Sequence, residues 1–380
     1  MLFLKRLITI IVVLITLTIY AVPAFANVGT PMVWFVSFHL LLGNLFIALF
    51  EAYLIKKFFK THYLKTALFL IIANYVSCYA GLIIARYSTL LVIDVNLLNA
   101  LGFIVTSTFL LILLTIVIEW PFFLLIFRKE QDRLLKSIKA SIVAQMASYS
   151  ILIVFSVLLS DISLITKVEY QKPSDFGIKL NCHIYYIAAD GDIYKSDFQG
   201  NVEFATEDRL EKSERARLIA TQKDQSNTCA ISIYERENRT TRIVMDDIRC
   251  DYGHFHNSPT ELLGAGDTWM NFGEVKFFDK NPYRVETHFW SAGFSVRKSK
   301  DNLFYLTLNT PIVAVDARNA MCVEKNILVY EALSNYLLFG ESNQIYLLDV
   351  ENLKSAMLAK GTGPALICEN ADQSAETNEP

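Results

Sequence analysis

Two carboxylates, Glu51 and Glu119, sit in stretches otherwise apolar enough to lie inside a bilayer. Three amides share that placement: Asn44, Asn74 and Gln145. Intramembrane acids are costly to charge, and they mark ion paths, proton relays or polar contacts between helices. Counting about 1.5 Å per residue from the nearest basic loop, Glu51 lies roughly 7 Å deep and Gln145 roughly 9 Å. Asn74 and Glu119 lie roughly 13 Å deep. These four residues therefore fall in one half of the membrane, on four different helices. Asn44 and Glu51 are two helical turns apart and share a face. The sharper expectation is a proton or ion path through Glu51 and Glu119. The plainer one is interhelical hydrogen bonding, with a protonated Glu held by Asn or Gln. A third is that Glu51 simply reaches back to the interface. His39 falls on another side of its helix and reads as a packing or interfacial residue.

A second group lies in "CDYGHFHN", which holds Cys250, His254 and His256. A His-x-His pair places both imidazoles on one face of a strand, a geometry that zinc and copper sites use. No third histidine is near in sequence, and only His288 stands ready to return in space. The plainer reading is a turn carrying a disulfide cysteine. Five cysteines lie beyond residue 160: Cys182, Cys229, Cys250, Cys322 and Cys368. Proximity in the chain suggests the pairs Cys229–Cys250 and Cys322–Cys368, although sequence alone does not fix pairing. There is no G-x-S-x-G, H-E-x-x-H, P-loop or dinucleotide fingerprint, so no reaction and no cofactor is expected.

These residues need elements to position them, and composition says what kind. The chain has 380 residues, of which 53% are hydrophobic. That share is high for a soluble protein and points to a membrane class. Charge is unevenly divided. Residues 1–160 carry five acids and 12 Lys/Arg, a net of +7, and residues 161–380 carry a net of −10. A basic membrane half and an acidic soluble half follow. The acidic half argues against a nucleic-acid partner.

The N-terminus reads as a secretory signal peptide over residues 1–26. Lys5 and Arg6 lead an apolar stretch that ends at Ala24-Phe25-Ala26. Four spans are expected after it, at about 32–55, 65–85, 98–127 and 140–160, each long enough for a hydrocarbon core of about 30 Å. Pro121 in the third is a kink site, because it lacks a helical N–H. The loop at 56–65 carries four Lys, and the loop at 128–139 carries five Lys/Arg. The positive-inside rule makes both loops cytoplasmic and puts everything after residue 160 outside.

From Asp161 on, short alternating runs with turn signals predict an all-β domain over residues 161–368. "HIYYIAADGDIYKSDFQGN" reads as strand, Asp-Gly turn, strand, Gly-Asn turn. Fainter copies begin near residues 217, 293 and 335, and "ELLGAGDTWMNFGEVKFF" fits the widest gap. A step near 40 residues suits a small β-propeller, with a sandwich or barrel as the alternative. Residues 369–380 form a polar tail without apolar anchors.

Two resemblances accompany these motifs. The segments "IYYIAADGDIYKSDFQGN" and "NQIYLLDVENLK" look like blades of TolB-like sensor propellers. The "N-x-G-T-P" after the leader resembles the start of uncharacterised bacterial multi-span membrane proteins. The first implies a recognition domain, and the second implies no activity.

The sequence thus predicts a bacterial inner-membrane protein: a signal peptide, a four-span helical domain over 27–160 and an extracytoplasmic all-β domain. The expected role is a non-enzymatic anchor or sensor whose partners are the lipid bilayer and a membrane or envelope protein. The alternative is a small transporter or ion-conducting subunit using Glu51 and Glu119. A metal-dependent periplasmic enzyme at Cys250, His254 and His256 ranks last.

Overall fold

The computed structural model describes residues 42–87, 96–178, 181–206, 216–223, 227–235, 240–250, 252–253, 283–287, 293–298, 302–310, 312–324, 326–336 and 340–369. The expected signal peptide, His39, His254, His256, His288, the 261–278 segment and the tail after Glu369 lie outside the described residues. Two compact units divide the chain. One runs through Asp161 and includes Asn309–Ala314 and Tyr336–Gly340. The other holds Ile162–Leu308, Val315–Asn335 and the residues from Glu341 on.

The helical unit contains α1 (Asn44–Phe59), α2 (Tyr63–Tyr87), α3 (Ala100–Ile126) and α4 (Arg133–Leu159). Three of them, α2, α3 and α4, are long and apolar enough to cross a membrane. Their outward positions carry large apolar side chains such as Phe109, Val117, Val157 and Leu158, as a lipid-facing surface requires. The described part of the first expected span is α1, 16 residues long. It stops at Lys60, whose left-handed backbone (φ 54°) sends its N–H back to Lys56 O. Lys56 and Lys57 occupy the last turn, where cations favour the helix dipole. Helix α3 continues through Pro121 to Ile126, 27 residues in all. That length is about 40 Å, more than the thickness of a hydrocarbon core.

The second unit is built of strands behind a one-turn helix, α5 (Ser163–Thr166). In order these are β1 (Glu169–Tyr170), β2 (Asn181–Ile187), β3 (Ile193–Ser196), β4 (Val202–Thr206), β5 (Ala216–Gln222), β6 (Thr228–Glu235), β7 (Thr240–Arg249) and β8 (Tyr252–Gly253). They continue with β9 (Tyr283–Thr287), β10 (Gly293–Lys298), β11 (Asn302–Asn309), β12 (Val313–Glu324), β13 (Ile327–Tyr336), β14 (Gly340–Asp349), β15 (Lys354–Lys360) and β16 (Thr362–Glu369). Strands β9 to β15 lie side by side in chain order, and β1 adds to β15 in parallel, giving eight strands. A five-stranded sheet runs β4-β3-β2-β16-β8, and a three-stranded one runs β5-β6-β7. The repeats seen in sequence are hairpins of these sheets. None of the three sheets is a four-stranded blade, so the 40-residue step reports hairpin spacing among the described strands.

The middle sheet is covered on both sides. Cys182, Ile184 and Tyr186 of β2 and Leu366 of β16 join Val329, Ile345, Leu347 and Leu358 in one core. Tyr185 and Ile187 of β2 and Ala365 and Ile367 of β16 join Leu218, Ile231 and Ile233 in another. Successive residues of a strand point to opposite faces, so a strand with both faces buried reads as a continuous apolar run. "HIYYI" and "ALI" are such runs. Two turns explain why two segments read alike. Asp197 accepts hydrogen bonds from Gln199 N (2.9 Å), Asn201 N (2.8 Å) and Asn201 Nδ2 (2.8 Å). Asp349 accepts from Glu351 N (2.9 Å), Asn352 N (3.0 Å) and Asn352 Nδ2 (2.7 Å). In each turn a short side chain occupies the backbone donors that the chain reversal leaves open.

Candidate functional site: buried carboxylates among the helices

Helices α1 and α2, α2 and α3, α3 and α4, and α4 and α1 are in contact, so the four close into a ring. Small residues let them approach: Ala48, Ala52, Ala73, Ala140 and Ala144 are all fully buried. Close approach through small side chains is the usual basis of helix packing in lipid. Ile55, Leu70, Phe123, Ile126 and Phe127 fill the ring toward the end that carries Lys56 and Lys65. Phe59 packs edge-on against Phe127, with ring centroids 5.7 Å apart.

Within this apolar ring lie the polar residues singled out above. Glu51, Asn74, Glu119 and Gln145 come one from each helix, and all are buried. Asn74 donates from Nδ2 to Glu51 Oε2 at 2.9 Å and to Leu70 O at 3.1 Å. Gln145 donates from Nε2 to Glu119 Oε2 at 2.5 Å. Ser77 donates from Oγ to Glu119 Oε1 at 2.6 Å. The first bond ties α1 to α2, and the other two tie α3 to α4 and to α2. Glu119 lies within electrostatic reach of Glu51, so the two pairs form one cluster.

Asn44 is also buried on the face of α1 that holds Glu51. It neighbours Cys78 rather than bonding to either carboxylate. Two turns separate it from Glu51, a rise of about 10 Å, too far for direct contact.

Ser77 and Ser148 belong to the site and were not singled out from the sequence. Ser148 lies beside Glu51 but gives its proton to Ala144 O at 2.9 Å. The signal was present as spacing. Ser77 follows Asn74 by three residues, and Ser148 follows Gln145 by three, each on the face of the amide. A further polar contact joins α3 to α4 where the Thr115 and Tyr149 hydroxyls meet at 2.8 Å.

Of the expected metal ligands, His254 and His256 lie outside the described residues. Cys250 is disulfide-bonded to Cys229, the first of the two pairs suggested by the sequence. No group of three or more His, Cys, Asp or Glu among the described residues has metal-binding geometry. The second expected pair is corrected. Cys368 bonds to Cys182, not to Cys322. The register places Cys368 directly opposite Cys182 on neighbouring strands, a geometry that nearness in sequence does not reveal.

Taken together, the two units define a protein with three helices able to cross a membrane and a separate all-β region of several sheets. Comparison with known protein families, curated proteins and solved structures finds no match to this chain.

Proposed function

We propose that this chain is a multi-pass inner-membrane protein of a bacterium, and that it presents its β unit outside the cytoplasm to bind a protein or another envelope component. It acts as an anchor or sensor and not as an enzyme. On this reading α1 completes a fourth span with the apolar residues before it, and a signal peptide precedes it.

The observation that carries the reading is the pairing of apolar helices with a disulfide-linked β unit. Disulfides persist in oxidising compartments such as the periplasm and are rare in the cytosol. Cys182–Cys368 and Cys229–Cys250 therefore favour the same side for the β unit as the basic loops do. The polar cluster supports the anchoring role, because its hydrogen bonds join all four helices. Hydrogen bonds between membrane helices contribute about 0.6–2 kcal/mol each, which favours the assembled ring.

The reading is tested by site-specific photo-crosslinking in the native membrane, with the reactive group at exposed Val202 of the β unit or at Leu134 near the basic loop. A defined envelope or membrane protein joined at Val202 but not at Leu134 is the expected result. A chain that yields no adduct from either position contradicts recognition by the β unit.

A further inference from the structure

Hydrogen bonds among the helices account for most of the cluster but leave two atoms over. Glu51 Oε1 and Asn44 Nδ2 are buried and have no hydrogen-bond partner. Their residues are 0% and 2% exposed and lie on one face of α1. Orphan polar atoms are rare in folded proteins, and rarer still where water cannot reach them. One of them belongs to the buried carboxylate pair itself, and the other lies two turns away on the same helix.

The charge is equally one-sided. Two carboxylates offer four oxygens, and three donors serve them: Asn74 Nδ2, Ser77 Oγ and Gln145 Nε2. All three donors are neutral. Among the described residues no Lys, Arg or His forms an ion pair with Glu51 or Glu119; the ion pairs there lie elsewhere. The titratable groups facing the pair are Cys78 from α2 and Tyr149 from α4. Neither is basic, and the Tyr149 hydroxyl is engaged with Thr115. Buried charges are normally paired, yet neither carboxylate has a basic partner among the described residues, and one carboxylate oxygen, Glu51 Oε1, has no donor.

We propose that Glu51 and Glu119 together hold a single monovalent cation, a proton or Na⁺, at Glu51 Oε1 inside the helix ring. A divalent metal fits poorly, since hard divalent ions take six or more oxygen ligands. A proton needs only Oε1. Na⁺ would need further oxygens, for which the Ser148 hydroxyl beside Glu51 is the nearest candidate. Binding and release would alter the charge held where all four helices meet. The site therefore gives the membrane unit a cation-dependent state, whatever the β unit recognises.

The test is infrared spectroscopy of the full chain in lipid nanodiscs, following the C=O stretch of a protonated carboxyl shielded from water. Measurements are made above the pH at which exposed acids have ionised. One such band is expected in the parent protein and none in Glu51→Gln. If further alkali removes the band and Na⁺ does not, the cation is a proton. If Na⁺ at fixed pH removes it, Na⁺ takes the site. A parent spectrum that responds to neither, or a response that persists unchanged in Glu51→Gln, overturns the proposal. Should Glu51→Gln fail to fold, the parent titration and Glu119→Gln still decide it. The crosslinking result stands or falls separately, because it reads the β unit alone.

Discussion

Cys182 and Cys368 stand directly opposite each other on β2 and β16 and are disulfide-bonded across 186 residues of chain. The bond therefore joins the second strand of the β unit to its last. Strand β16 lies inside its sheet, between β2 and β8, and both its faces are buried. The last described strand in the chain is thus a central one, and the crosslink holds it against β2.

Breaking that bond should be costly. A disulfide closing so long a loop contributes about 2–5 kcal/mol, chiefly by restricting the unfolded chain. Cys182→Ala with Cys368→Ala is expected to lower the denaturation midpoint of the β unit by that amount. Tryptophan fluorescence against urea reads it, with reductant on the parent as the parallel arm.

Gly363 explains another fixed point. It adopts φ +60°, and a Cβ there would run into the Arg217 backbone of β5. Its N–H bonds to Glu331 Oε2 at 3.1 Å, while Thr362 Oγ1 donates to Glu331 Oε1 at 2.7 Å. One buried carboxylate on β13 thereby holds the start of β16. Gly363→Ala combines left-handed strain with overpacking and should cost about 2–4 kcal/mol. Glu331→Leu should be destabilising too, since it leaves two buried donors unpaired. Thermal unfolding of both variants checks this.

In the helical unit, Asn74→Ala removes the 2.9 Å hydrogen bond to the Glu51 carboxylate. Loss of a bond to a buried carboxylate should cost about 1–3 kcal/mol. The same substitution made in a Glu51→Gln background should cost less, because the group left behind is then uncharged. A double-mutant cycle on unfolding in detergent micelles gives the coupling. Strict additivity would mean that the bond contributes nothing.

Asp197 is one source of acid-dependent stability in the β unit. Burial works against the charge on Asp197, but hydrogen bonds from the Asn201 side chain and from the N–H groups of Asn201 and Gln199 outweigh it. They hold the carboxyl below its usual range. A carboxyl depressed in the folded state adds stability above the unfolded value of about 3.9. That stability is lost as pH falls through the folded value. Asp197→Ala should therefore destabilise near neutral pH and show a shallower acid limb than the parent. Denaturation midpoints taken across the acid range measure it.

The parts legible in the sequence were those fixed by local pattern. Helices α2, α3 and α4 are apolar runs longer than any soluble helix needs. The hairpin of β2 and β3 is announced by Asp190-Gly191. The cluster was legible because polar residues in apolar helices stand out, as Glu51, Asn74, Glu119 and Gln145 do. What stayed hidden depends on contacts between distant residues. Cys368 lies nearer in sequence to Cys322 than to Cys182, and only the sheet order makes Cys182 its neighbour. Glu331 looks like an exposed strand residue until the Thr362-Gly363 turn arrives beside it. Ser77 was passed over because serine is unremarkable in a membrane helix unless its neighbour at i−3 is weighed with it.

The central claim is that the β unit and the basic loops lie on opposite sides of a membrane. Single cysteines at exposed Ile243 of β7 and exposed Gln131 between α3 and α4 can be probed with a membrane-impermeant maleimide on spheroplasts. The account predicts labelling of Ile243→Cys on intact spheroplasts and of Gln131→Cys only after permeabilisation. Labelling in the reverse order, or of both positions before permeabilisation, would contradict it.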